Sequence, residues 1–201
     1  MGRPRTFDKQ EVLRIARDEF WEKGFEATTL DDLMRATGLG KGSLYAAFGD
    51  KRQLFLEILE AYSRWRLEGV RRALTGEGRA IERLRAFFSV GDGDTSKGLH
   101  ARGCLLVNST TELGDREPAV RKLSRLTYGA VEDMLVDAVS RAMAEKDLPA
   151  STDARSFGRL LLAVAQGMEF LGKTGMKASE VAIVGRETIA RMLGERPSLR
   201  R

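Results

Sequence analysis

At 201 residues and 22.3 kDa, with 42% hydrophobic and 31% charged residues, the chain can form one ordinary domain or a small head on a larger body. No apolar run approaches the roughly 20 residues a membrane helix needs, and Met-Gly-Arg-Pro-Arg-Thr at the start leads into charged sequence, unlike a secretory signal. One cysteine (Cys104) and one histidine (His100) rule out a disulfide framework and a multi-Cys/His zinc site built from one chain. A cytoplasmic home, with no membrane contact, cofactor or metal, is the expectation. The formal charge of +5 points to an acidic partner, yet residues 1–50 carry eight basic against nine acidic side chains, a net −1. Any grip on an anion must come from the placement of a few bases.

Helical periodicity runs almost throughout, and no segment shows the two-residue alternation of a half-buried strand. A first helix is predicted from Asp8, with Glu11 as the second half of a capping box and Val12, Ala16 and Phe20 as its core side; Gly24 ends it. Thr29 with Asp32 repeats the capping arrangement ahead of Leu30, Leu33 and Met34, and Gly38 stops that helix. A third short helix, about Lys41 to Phe48, buries Leu44 and Phe48. Gly49-Asp50 breaks and recaps the chain, and a long helix follows from Lys51 to about Leu74.

The remainder reads as longer helices. Ile81, Leu84, Phe87 and Phe88 mark one that ends by Gly91, before a glycine-rich polar loop at 91–98. In that loop Asp92, Asp94 and Ser96 have calcium-loop spacing, but Lys97 replaces the sharp-turn glycine and Gly103 the bidentate glutamate. Cys104 to Leu113 is a short helix, and Pro118 opens one running to about Glu145. Thr152 is a candidate cap for a helix carrying Phe157, Leu160, Leu161, Val164, Met168 and Leu171, closed by Gly172 and Gly175. A last helix spans about Ser179 to Leu193, and 196–201 is a tail without pattern. The expected fold is all-α: a three-helix head over residues 1–50 on a larger helical body over 51–195.

Two helices joined by a glycine-containing turn form a helix-turn-helix over about 29–48, whose second helix can lie in a DNA major groove. Leu44 and Phe48 turn inward, leaving Lys41, Gly42, Ser43, Tyr45 and Ala46 outward. Small side chains permit a deep fit, Lys41 and Ser43 offer donors, and the Tyr45 hydroxyl suits a phosphate. The helix starts at Thr29 and Lys41 present free amides to an anionic oxygen. Lys51 opens a helix, where a cation opposes the dipole; a phosphate would explain it. Gly38-x-Gly40-x-Gly42 follows a helix, not a strand, so the context of a nucleotide loop is missing.

At these residues the sequence resembles a known family. The run from Thr28 to Leu33, and that from Gly38 through Lys41-Gly42-Ser43-Leu44-Tyr45 to Lys51, resemble the DNA-binding motif of the tetracycline-repressor (TetR) family. Phe20-Trp21-Glu22-Lys23-Gly24-Phe25 is similar to the end of that family's first helix. Gly40, where many members carry a capping serine, and Ala47, where many carry histidine, depart from the pattern. The resemblance implies DNA contacts for Thr28, Thr29, Lys41, Gly42, Ser43, Tyr45 and Lys51, and a minor-groove arm at Arg3 and Arg5. It implies a bacterial repressor that binds palindromic duplex DNA as a homodimer and leaves it when a small-molecule effector binds.

In the family the last two helices form the dimer interface. Here the helix after Thr152 is apolar nearly all round, which requires burial on more than one side, within the monomer or against a partner. Phe157, Leu161, Val164, Met168 and Leu171, with Ile189 and Met192 of the last helix, are the interface candidates. Trp65, Phe87, Phe88 and Tyr128, with Cys104, Asn108 and Thr111 between them, are the effector-pocket candidates. Arg102-Gly103-Cys104-Leu105-Leu106-Val107-Asn108 resembles the start of the sixth helix in one subgroup of the family. Cys104, near a helix N-terminus and beside Arg102, opens the alternative of a redox- or electrophile-sensing regulator, and an effector-independent binder is a second alternative. Nothing in the sequence forms a catalytic constellation, so no enzyme is expected.

Overall fold

The computed structural model describes residues 7–89 and 102–195. Among them every regular element is a helix: α1 (Lys9–Lys23), α2 (Leu30–Thr37), α3 (Lys41–Phe48), α4 (Lys51–Leu74), α5 (Ala80–Phe88), α6 (Leu105–Leu113), α7 (Pro118–Ala144), α8 (Ala154–Lys173) and α9 (Ala178–Met192). The arm at Arg3 and Arg5, the Asp92–Asp94–Ser96 spacing, His100 and the 196–201 tail lie outside the described residues. These residues divide into two compact units, 7–64 with 105–124 and 65–89 with 102–104 and 125–195. The division falls inside α4 and α7, not at 50/51 where the motif ends.

In the first unit, local signals set the short helices. Asp8 caps α1 by accepting the amides of Gln10 and Glu11, while the Glu11 side chain pairs with Arg14 and not with the cap. α2 has a full capping box: Thr29 Oγ1 accepts from Asp32 N at 3.1 Å, and Asp32 Oδ2 accepts from Thr29 N at 2.9 Å. Such a cap is worth about 1 kcal/mol. Gly38 ends α2 at φ 70°, a left-handed conformation that suits glycine. Packing then fixes the angles. Phe55 of α4 meets Phe20 and Phe25 at ring separations of 5.0 and 4.8 Å, and Trp21 stands edge-on to Tyr62. α6 joins this unit through buried Leu105, Leu106 and Leu113, and the hydroxyls of Thr110 and Ser124 meet at 2.6 Å.

In the second unit α5, α8 and α9 pack with the later turns of α4 and α7 around Leu84, Phe88, Leu135, Val139, Leu161 and Val181. Two glycines let backbones touch. A Cβ on Gly185 of α9 would stand 2.1 Å from the Phe88 carbonyl oxygen, and one on Gly158 would stand 2.5 Å from a Val136 methyl.

This core takes in the residues of the expected interface. Leu161, Met168 and Ile189 are buried inside the monomer, and Phe157, Val164, Leu171 and Met192 pack against the same cluster. The apolar face left in solvent is a different stripe of α8, Leu160–Ala163–Gly167–Phe170, joined on α9 by Ile183. Leu160 and Phe170 are 50% and 63% exposed. Apart from the polar line through Arg155, Arg159, Gln166 and Lys173, apolar residues cover the helix, so its sequence leaves more than one apolar stripe and packing chooses which goes inside.

Candidate nucleic-acid interface

α2 and α3 meet through the turn at Gly38–Gly40, and α3 turns Leu44 and Phe48 into the head. The outward face carries Lys41, Gly42, Ser43 and Tyr45, all exposed. The Lys41 ammonium lies 5.5 Å from the centre of the Tyr45 ring, so a cation and a phenol share one patch. A Cβ on Gly42 would meet nothing within 4 Å; the fold does not need glycine there. Gly40, at the N-cap of α3, offers no side-chain acceptor, so the first amides of α3 are not capped by it. Thr29 is exposed, with its hydroxyl donating to Asp32 Oδ2 at 2.6 Å.

Two members of the expected contact set are engaged inside the head. Thr28 is 0% exposed and its hydroxyl donates to the Gly24 carbonyl at 2.6 Å, so its side chain is not presented to a ligand. Lys51 Nζ donates to the carbonyls of Phe25 and Thr28, each at 2.8 Å, and sits 4.3 Å from the centre of the Phe25 ring. The cation at the start of α4 therefore has partners within the head, the carbonyls of the α1–α2 turn. Both residues position the turn.

Sequence reasoning missed the opposite side of that turn. The Glu112 carboxylate of α6 accepts the amides of Phe25 (2.9 Å) and Glu26 (2.8 Å), and would crowd a Cβ on Gly24 at 2.9 Å. A negative charge receiving two N–H groups is a strong hydrogen-bonding arrangement. Glu112 and residue 25 are 87 positions apart, and nothing local marks the pairing. Lys23 bonds Glu19 and Asp32, tying α1 to α2. The Asp32 carboxyl is held well below its ordinary pKa, first by the Thr29 hydroxyl, then by the Thr29 amide and Lys23.

The effector-pocket candidates fall in both units. Trp65, Phe87 and Phe88 line a cleft of about 350 Å³ in the second unit, with Val70 and Met168. Arg66 and Glu169, which periodicity did not single out, face each other in its wall at 2.5 Å. Cys104 and Tyr128 meet Sγ to hydroxyl at 3.3 Å, close enough to the Arg66–Glu169 pair for Tyr128 to feel its charges; burial, with Cys104 alongside, pushes the Tyr128 phenol far up. Cys104 is only 3% exposed, so a reagent in solvent does not reach it in this conformation. Thr111 is exposed and donates back to the Val107 carbonyl; it and Asn108 belong to the first unit. Among the described residues no group of three or more His, Cys, Asp or Glu could hold a metal, and no helix is long and apolar enough to cross a membrane.

A three-helix head whose third helix is small-faced, basic and phenol-bearing defines a helix-turn-helix DNA-binding transcriptional regulator. The comparisons agree. Residues 12–58 match the model of bacterial regulatory proteins of the tetR family, and residues 80–181 match the tetracyclin repressor-like C-terminal domain. The chain belongs to the tetR family, whose members are DNA-binding transcription factors and not enzymes. It is 28% identical to the HTH-type transcriptional repressor ComR of Escherichia coli (strain K12), covering 94% of this chain and 90% of that protein. It is 29% identical to the uncharacterized HTH-type transcriptional regulator YezE of Bacillus subtilis (strain 168), covering 86% and 90%. A cysteine mutant of the TetR family transcriptional regulator CifR, complexed with 26bp double-strand operator DNA, shares its fold at TM-score 0.79 and 28% identity, over 95% of this chain and all of that one.

Proposed function

We propose that the chain is a dimeric repressor that binds a palindromic operator and is released from it by a small-molecule effector. The observation that carries the reading is the outward face of α3, where Lys41, Ser43 and Tyr45 flank a glycine the fold does not need. On this reading Tyr45 and the α3 amides hold phosphate, Lys41 and Ser43 reach base edges, Thr29 stands at the groove rim, and Arg3 and Arg5 enter the minor groove. The operator complex of CifR and the repressor name of ComR support it by similarity. A reader of a two-fold site is itself two-fold, and the exposed stripe Leu160–Ala163–Gly167–Phe170 with Ile183 is the surface proposed to pair with a second copy. α4 supplies Lys51 to the head and Trp65 and Arg66 to the cleft, so a ligand that shifts α4 alters the head. Separating half-sites about 34 Å apart from their recognition helices takes only a small rigid-body change. A hundredfold loss of affinity needs a preference of about 2.7 kcal/mol for the released state.

The test is selection of operator from random duplex, followed by titration over salt. If each subunit neutralises about four phosphates, the log–log slope is about −7. Affinity independent of salt, or one monomer bound to unrelated sequences, would sink the reading. A promoter fused to the selected operator then distinguishes repression from activation.

A further inference from the structure

The cleft of the second unit carries a conformational oddity and an exposed aromatic on the same turn of α4. Gly69 lies inside this 24-residue helix, five residues before its end, and glycine within a helix destabilises relative to alanine. A Cβ there would meet nothing within 4 Å, so packing inside the chain does not require glycine. What the missing side chain leaves is cleft volume, since Gly69 lines it. Trp65, one turn earlier on the same face, lines the same space and is 55% exposed, an unusual place for an indole with so much apolar surface. Phe87 completes the aromatic wall, edge-on to Phe88.

The charges in the wall say what can enter. Arg66 and Glu169 neutralise one another at 2.5 Å, with side chains only 15% and 28% exposed. A charged ligand settling beside them would have to draw one partner away and leave the other uncompensated in a poorly solvated place. Arg72, the remaining charge of the lining, is exposed. A neutral molecule meets no such obstacle. We propose that this cleft takes a neutral, planar ring compound, stacked between Trp65 and Phe87 in the space that Gly69 keeps open, with the Arg66–Glu169 pair left intact. The inference rests on the effector reading above and names the ligand class for it. At about 350 Å³ the cleft is at the small end of ligand sites, with room for a two-ring compound.

The test uses three probes with one ring system and three charges: 2-naphthalenemethanol, 2-naphthoate and 2-naphthylmethylammonium. Affinities come from ligand-observed NMR, and the site from the indole N–H resonances of the chain's two tryptophans, Trp21 and Trp65. The alcohol should bind with a Kd about tenfold or more below either ion and should move the Trp65 resonance while leaving that of buried Trp21 in place. Gly69→Leu puts a side chain into the cleft from a position whose Cβ meets nothing within 4 Å, so it should abolish the shift while the unfolding midpoint stays equal or rises. Tighter binding of either ion, no binding of the alcohol, or its retention by a folded Gly69→Leu protein would overturn the proposal. Operator affinity is read in parallel. A probe that occupies the cleft with no change in operator affinity upholds the site and refutes effector release.

Discussion

The ammonium of Lys51 donates to the carbonyl of Thr28 at 2.8 Å, across the turn that delivers the chain into α2. With the Phe25 carbonyl as its second acceptor, Lys51 fills two backbone acceptors that α1 and α2 leave outside their own ladders. Lys51→Met should therefore cost about 1–3 kcal/mol of stability without any DNA present. Its effect on binding should follow from the loosened head and be equal on every sequence. Tyr45→Ala is the contrast, because an exposed phenol changes unfolding little, within about 0.5 kcal/mol. Its loss should weaken operator binding by roughly 1–2 kcal/mol, again on all sequences. Urea unfolding alongside DNA titration separates the two. If Lys51→Met leaves the urea midpoint unmoved and still weakens DNA binding, the lysine is a phosphate contact after all.

Gly42 makes a sharper separation of fold from function. Gly42→Ala replaces a helical glycine with the best helix former where no neighbour objects, so the head should gain roughly 0.5–1 kcal/mol. Operator affinity should fall in the same variant if DNA approaches α3 as closely as its small outward face allows. Lys41→Ala should instead redistribute preference among single-base operator variants. A Gly42→Ala protein that is both more stable and equally tight on DNA would show that α3 stands away from the groove at this point.

How much could be read beforehand depends on how local each determinant is. The start of α2 at Thr29, its stop at Gly38 and the division of α3 into buried Leu44 and Phe48 against exposed Lys41 and Tyr45 all follow from neighbours within four residues. The intramolecular partners of Thr28 and Lys51 could not be read beforehand, because the Gly24, Phe25 and Thr28 carbonyls are backbone oxygens that no side-chain pattern advertises. Glu112 was invisible because its partners lie 86 and 87 residues away. In α8 the failure was one of phase: Leu160 and Leu161 are equivalent as letters, and only the packing against α7 and α9 buries the second.

Acid should loosen the α1–α2 connection through Asp32. Its folded-state pKa is depressed by the Thr29 hydroxyl first, then the Thr29 amide and Lys23. A depressed carboxyl contributes stability that is complete above its unfolded value, roughly pH 4, and is lost as pH falls toward the folded value. Asp32→Asn keeps the shape but not the charge. Its stability deficit against the parent should be full at neutral pH and shrink below about pH 4. A deficit that stays constant across the acid range would mean that the charge on Asp32 is not what holds the cap.

The two stripes of α8 make opposite predictions from adjacent residues. Leu161 is wholly buried, so Leu161→Ala should cost about 2–5 kcal/mol of stability through lost burial and the cavity left behind. Phe170 and Leu160 stand in solvent in the monomer, so Leu160→Glu or Phe170→Glu should leave the monomer's own core intact. If this stripe pairs two copies, each charge is forced into an apolar contact without a partner, and the equilibrium moves toward monomer. Light scattering over a concentration series reads the mass, and circular dichroism checks that the helices persist. Operator affinity should fall with the dimer, because one head engages only one half-site. A Phe170→Glu protein that stays dimeric and binds operator as before would place the interface elsewhere on the chain. The same variant, folded and monomeric yet still saturating a palindromic site at undiminished affinity, would break the link between two-fold assembly and two-fold DNA recognition.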